Sequence, residues 1–157
     1  MPRRFSSPYL QQLKGEEGGS LVEYAISFIL FATMLFGITG FGLGLYAYHF
    51  VGNAAREATR WASVNGSSCA TDASCKSPAT ASDVQAYVGT IVPPGIDATQ
   101  VTVATVWPST GGFCTATKNH PTCTVKVQVS YKYNFILPLV HFSPLTLSST
   151  SETTITH

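Results

Sequence analysis

Glu23 is the last charged side chain before residues 24–55, a run of 32 residues that holds no Asp, Glu, Lys or Arg. An acid at the lip of such a run is unusual, because a carboxylate at mid-bilayer costs roughly 2.5–3.5 kcal/mol on insertion scales. One reading of it is local. Ser20 with Glu23 three residues later fits the capping-box pattern, which places an acid near the positive end of a helix macrodipole.

The four cysteines are the next candidates. Cys69, Cys75, Cys114 and Cys123 all follow the apolar run. Zinc knuckles use short Cys-x-x-Cys-type spacings, which these pairs do not have, so no metal is expected. Two close pairs in a small domain read instead as disulfides in an oxidising compartment. Four cysteines allow three connectivities; Cys69–Cys75 with Cys114–Cys123 is preferred because each closes one local loop.

Little else suggests catalysis. His49, His120, His141 and His157 show no metal-ligand spacing, and the acids after Glu57 are only Asp72, Asp83, Asp97 and Glu152. No G-x-S-x-G, H-E-x-x-H or phosphate loop is present, so neither an enzyme nor a cofactor is expected. A net charge of +1 supplies no basic field for nucleic acid.

The elements that must carry these residues fall into two halves. About 20 apolar residues cross the roughly 30 Å hydrocarbon core of a bilayer, so residues 24–55 read as a membrane helix with length to spare. Val51, Ala54, Ala55, Ala58, Trp61 and Ala62 continue at helical spacing, with Arg56, Glu57 and Arg60 on the other side. An unbroken helix over residues 20–64 would be about 67 Å long. Asn65-Gly66-Ser67 is its stop signal. Gly37, Gly40, Gly42 and Gly44 cluster within the span. Gly40-x-x-x-Gly44 is a small-xxx-small step that lets two helices approach closely, and the cluster is where bending or partial unwinding is expected.

The rest is rich in Ser, Thr, Ala, Val and Gly. Residues 81–92 predict a short helix, ended by Pro93-Pro94-Gly95. From residue 124 to 135, Val125, Val127, Val129, Tyr131, Tyr133 and Phe135 alternate with polar residues, which predicts a strand with one buried and one wet face. Residues 101–107 and 145–155 predict two more strands. The expected fold is α+β: a long N-terminal transmembrane helix extending into a small extracytoplasmic domain, where about three antiparallel strands bury their apolar face on residues 51–62. The expected divisions are residues 1–18, 19–64 and 65–157.

Three basic residues precede the span (Arg3, Arg4, Lys14) and two follow directly after it (Arg56, Arg60). With the cysteines, that bias places the N-terminus in the cytoplasm and the larger domain outside. A cleaved secretory signal is the competing reading, but its apolar core runs 7–15 residues and ends at a small-residue site, which is absent here.

The segment Gly18-Gly19-Ser20-Leu21-Val22-Glu23-Tyr24 fits G-x-x-x-x-E-Y directly ahead of the apolar helix. It resembles the processing site of pilins in the Tad (Flp) branch of type IV pili. Asn53-Ala54-Ala55-Arg56-Glu57-Ala58-Thr59-Arg60-Trp61-Ala62 is similar to the run that follows the membrane helix of TadE-like pseudopilins, with Ala58 where glycine is usual. Tyr133-Asn134-Phe135 and Pro138-Leu139 before a Thr/Ser-rich strand also look like that family. Glu16-Glu17 depart from its commonly basic leaders.

The resemblance implies a pilin-like fold and a leader, residues 1–18, removed by a prepilin peptidase between Gly18 and Gly19. It implies a role for Glu23 and Tyr24 in assembly, and as partners the membrane, other pilin subunits and the Tad assembly platform. The implied place is the bacterial inner membrane, and from there an extracellular pilus. The alternative is a monomeric, membrane-anchored binding module in which Trp107, Phe113, Tyr131 and Tyr133 meet a surface ligand.

Overall fold

The computed structural model describes residues 17–68, 78–108, 114, 119–135 and 143–156. Residues 1–16 of the expected leader, Cys69 and Cys75 with their expected bridge, and Phe113 lie outside the described residues, as do Pro138-Leu139, His141 and His157.

A single helix, α1, runs over Glu17–Val64, 48 residues and about 72 Å at 1.5 Å per residue. It begins three residues before Ser20, so Ser20 and Glu23 lie inside it and the expected capping box is not formed. The reason is cooperativity: once a long helix exists, each added residue gains a hydrogen bond for two fixed dihedrals. Gly18 and Gly19 oppose this by only about 1 kcal/mol each. The same balance holds at Gly37, Gly40, Gly42 and Gly44, where the expected unwinding does not occur and the helix is continuous.

Three antiparallel strands follow, β1 over Val101–Val106, β2 over Thr124–Tyr133 and β3 over Leu145–Thr154, in the order β1-β2-β3. Each stops one or two residues short of its expected end. Val101 pairs with Tyr131 and Val106 with Lys126 on one side of β2; Thr124 pairs with Thr154 and Tyr133 with Leu145 on the other. The period-two pattern of β2 is reproduced in burial: Val125, Val127 and Val129 are completely covered, and Tyr131 and Tyr133 nearly so. Phe135 lies past the strand and packs on the same core.

The face of α1 that receives this sheet is nearly all alanine: Ala47, Ala54, Ala55, Ala58 and Ala62, with Val51 among them, are each at most 2% exposed. Small side chains at those positions let the helix come close to the sheet, so that the valines of β2 pack directly against it. Thr59, in the same face, donates its hydroxyl to Ala55 O at 2.6 Å and to Ser151 O of β3 at 3.4 Å, so its burial leaves no orphan donor. The chain past β3 returns to the helix end, where Thr156 N donates to Ser63 O at 3.1 Å.

A second helix, α2 over Ala81–Thr90, is two residues shorter than expected and ends at Ile91. Thr80 caps it with a true capping box: Asp83 N donates to the Thr80 hydroxyl, and Thr80 N to the Asp83 carboxylate at 3.0 Å. Its Val84 and Val88 enter the core. Ile96 N then donates to Pro93 O at 3.3 Å across Pro94-Gly95, and Gly95 has φ of +90°. That is a type II turn, whose third residue needs the left-handed region that glycine supplies.

The alanine face gives the first prediction. Ala58→Leu inserts methylenes where helix and sheet already touch, and should cost about 1–3 kcal/mol. Thermal unfolding of the detergent-solubilised chain, followed by near-UV circular dichroism, should shift down for this variant; an unchanged midpoint would mean the contact is loose.

Candidate functional site

Gly18, Gly19, Glu23 and Tyr24 occupy the first two turns of α1. Gly19 and Glu23 are four residues apart and therefore stack on one helix face. All four are exposed, Tyr24 by 73%, and no side chain of the domain approaches either glycine. The structure thus keeps the two glycines, the acid and the aromatic together but holds them away from the domain. The first buried helix residue is Gly40, about 25 Å further along the axis than Glu23.

Between them lies a bare apolar rod. From residue 18 to residue 39 every position is exposed except the half-buried Ala32. Phe28, Phe31, Met34 and Ile38 are among the large side chains left uncovered. Those 22 residues span about 33 Å, which matches a hydrocarbon core of roughly 30 Å. The two threonines at the upper end of the rod are self-satisfied: Thr33 donates to Ile29 O at 2.7 Å and Thr39 to Leu35 O at 2.9 Å. Donors closed onto the i−4 carbonyl need no water, which is the condition for placing them in lipid. Gly18–Val64 is long and apolar enough to cross a membrane.

The rod ends at a seam. Tyr133, last residue of β2, donates its hydroxyl to Gly40 O at 2.6 Å. Its ring lies 3.5 Å from where a Cβ on Gly44 would stand. Of Gly37, Gly40 and Gly44, where close helix packing is expected, only Gly44 has a side chain of its own chain within 4 Å of where a Cβ would stand. Sequence reasoning placed Tyr133 on the buried side of a strand but carried no signal that it would reach the glycines. Burial pushes the Tyr133 phenol above its ordinary range, and neighbouring Tyr131 adds to the shift. Tyr133 and Phe135 meet edge to face, 4.9 Å between centroids.

Other contacts fasten the domain to the upper helix. Tyr46 donates to Pro94 O at 3.4 Å. Trp61 stacks on Tyr87 at 5.1 Å, and Tyr87 donates its hydroxyl to Glu57 at 3.1 Å. Glu57 thus meets α2 as well as having Arg60 within its own helix. Burial, followed by the hydrogen bond to Glu57, raises the Tyr87 phenol.

Cys114 and Cys123 are joined by a disulfide that leads into β2. Ser67 Oγ and His120 Nδ1 lie 3.0 Å apart, and Ser67 N donates to Asn119 O at 2.8 Å. Sequence spacing had not paired this serine and histidine. Their contact is exposed and ties the end of α1 to the turn before Cys123. Trp107 is buried in the core, and Tyr131 is largely covered, so neither offers a free aromatic face. Among the described residues no group of three or more His, Cys, Asp or Glu is placed to hold a metal.

An apolar rod bearing an acid at its head, and three antiparallel strands packed on its far half, define an α+β protein with one candidate membrane span. Within that class, a family model described as TadE-like protein matches residues 18–60, from the paired glycines to the last turns of α1. The match covers the helix and stops short of the sheet. No curated protein and no solved structure matched the chain.

Tyr133→Phe removes the hydrogen bond to Gly40 without opening a cavity, and should cost about 0.5–1.5 kcal/mol. Because the fold raises this phenol, the neutral form is the one the native state favours. Its stabilisation is complete below the unfolded value, near pH 10, and is lost as pH rises through the higher folded value. Denaturant titrations of the detergent-solubilised chain should show an alkaline fall in stability that Tyr133→Phe reduces; equal slopes for both proteins would remove Tyr133 as its source.

Proposed function

We propose that the protein is an assembly component, a minor pilin or pseudopilin, of a Tad-type pilus or secretion filament. One observation carries this reading: the TadE-like match begins at Gly18 and takes in Glu23 and Tyr24 at the exposed head of an apolar helix. A prepilin peptidase removes residues 1–18, and the subunit waits in the inner membrane with its domain outside the cytoplasm. It then meets other pilin subunits and the assembly platform.

Physical chemistry supports each step. A peptidase needs its scissile bond extended, and two adjacent glycines make the first turn of α1 the cheapest one to unwind, by about 1 kcal/mol each relative to alanine. Cutting between Gly18 and Gly19 creates an α-ammonium one turn below Glu23. In a bundle of such helices the ammonium of one subunit can pair with the Glu23 carboxylate of the next. Leaving either charge buried alone would cost roughly 3–5 kcal/mol, so the pair fixes axial register. Tyr24, beside it, offers an aromatic ring at the level where such rings settle at a membrane surface.

Glu23→Ala should leave leader removal intact, because the acid lies beyond the cut, yet lower the amount of subunit recovered in sheared filaments well below wild type. Normal incorporation of the variant would discard the register role, and failure of cleavage would make Glu23 a peptidase determinant instead.

A further inference from the structure

Beside the Tyr133 seam is an open cleft of about 200 Å³ whose exposed walls are entirely apolar. Phe41 and Leu45 of α1 form one wall, and Phe135, Leu145 and Leu147 the other, over a floor at Gly44. Apolar cavities of about 150 Å³ stay dry and accept hydrocarbon guests. This one is larger and open at the surface.

Three observations say what fills it. The first is depth. Leu21 is the first large apolar residue of the rod. Counted from it, Phe41 is about 30 Å along the axis and Leu45 about 36 Å, so the cleft begins where the hydrocarbon core ends and lies within the interfacial layer. Any tilt of the helix draws it deeper. The second is continuity. Phe41 and Leu45 extend the uncovered surface of the rod without a polar interruption, and Tyr46 and Tyr48, both more than 40% exposed, stand at the level of an aromatic belt.

The third is the composition of the sheet. Leu145 and Leu147 are the only large apolar residues of β3, and both lie at its rod-facing end, where Leu145 pairs with Tyr133. The remainder of that strand is Ser, Thr and Glu152. Grease confined to the end nearest the bilayer is what a sheet dipping into lipid requires, and a sheet standing off in water would gain nothing from it.

We propose that this cleft seats a phospholipid acyl chain of the adjoining leaflet, so that the sheet rests in the membrane lip instead of standing clear of it. The proposal rests on the reading of α1 as a membrane span. Lipid in the cleft holds the domain at a fixed height and tilt before assembly, and must leave when a neighbouring helix arrives.

The test uses the full chain in phosphatidylcholine vesicles whose acyl chains carry bromine, a short-range quencher of tryptophan, either close to the headgroup or close to the chain end. Leu145→Trp and Phe135→Trp report from the cleft, and Phe31→Trp from mid-rod. The native Trp61 lies about 30 Å beyond Phe41 along α1, and Trp107 follows the end of β1 far from Tyr133, so the parent protein supplies the unquenched baseline. Both cleft variants should lose most of their added emission with bromine near the headgroup and less with bromine at the chain end, while Phe31→Trp shows the reverse order.

Quenching of Phe31→Trp with neither cleft variant quenched would overturn the lipid seat while leaving the span intact; it is also what occupation by a second copy's helix would give. Failure of the parent protein to float with vesicles would overturn both.

Discussion

One unbroken helix has to satisfy two solvents, and the changeover falls where Tyr133 lies on Gly40 and Gly44. Below that point α1 is apolar on every side and its threonines bond to their own helix. Above it, one stripe of alanines accepts a sheet, and Arg56, Glu57 and Arg60 face outward. At Gly44 an added methyl would sit in ordinary van der Waals contact with the Tyr133 ring, at 3.5 Å.

The rest of the architecture follows from that clasp. With β2 fixed on α1 by its valines and by Tyr133, β1 and β3 need only pair on either side, and α2 closes the core through Val84 and Val88. The domain therefore has no core of its own apart from the helix: α1 supplies an entire wall of it. Movement of α1 is consequently transmitted to the sheet as to a rigid body.

Much of this was legible in the residues. The uncharged run, the period-two pattern of β2 and the helical stripe at residues 51–62 each reported a local period that tertiary packing then reinforced. What failed was positional. The start of α1 was read from a capping pattern at Ser20 and Glu23, which is a local preference worth about 1 kcal/mol, and helix propagation outweighed it. The glycine cluster was read as a weak point. It remained helical, and two of its members met Tyr133, 93 residues away in the chain, a contact no local pattern encodes. The Ser67–His120 contact was missed for the same reason.

Gly18, Gly19, Glu23 and Tyr24 stand exposed at the head of the helix, and under the proposed function they serve encounters with other molecules. The central claim is that a leader is cut away just before the rod, leaving a free amine one turn from a lone carboxylate. The N-terminal residue of protein recovered from membranes tests it most directly. Mass spectrometry should find Gly19 at the terminus. An intact residue 1, or a terminus beyond the apolar run, would contradict the account.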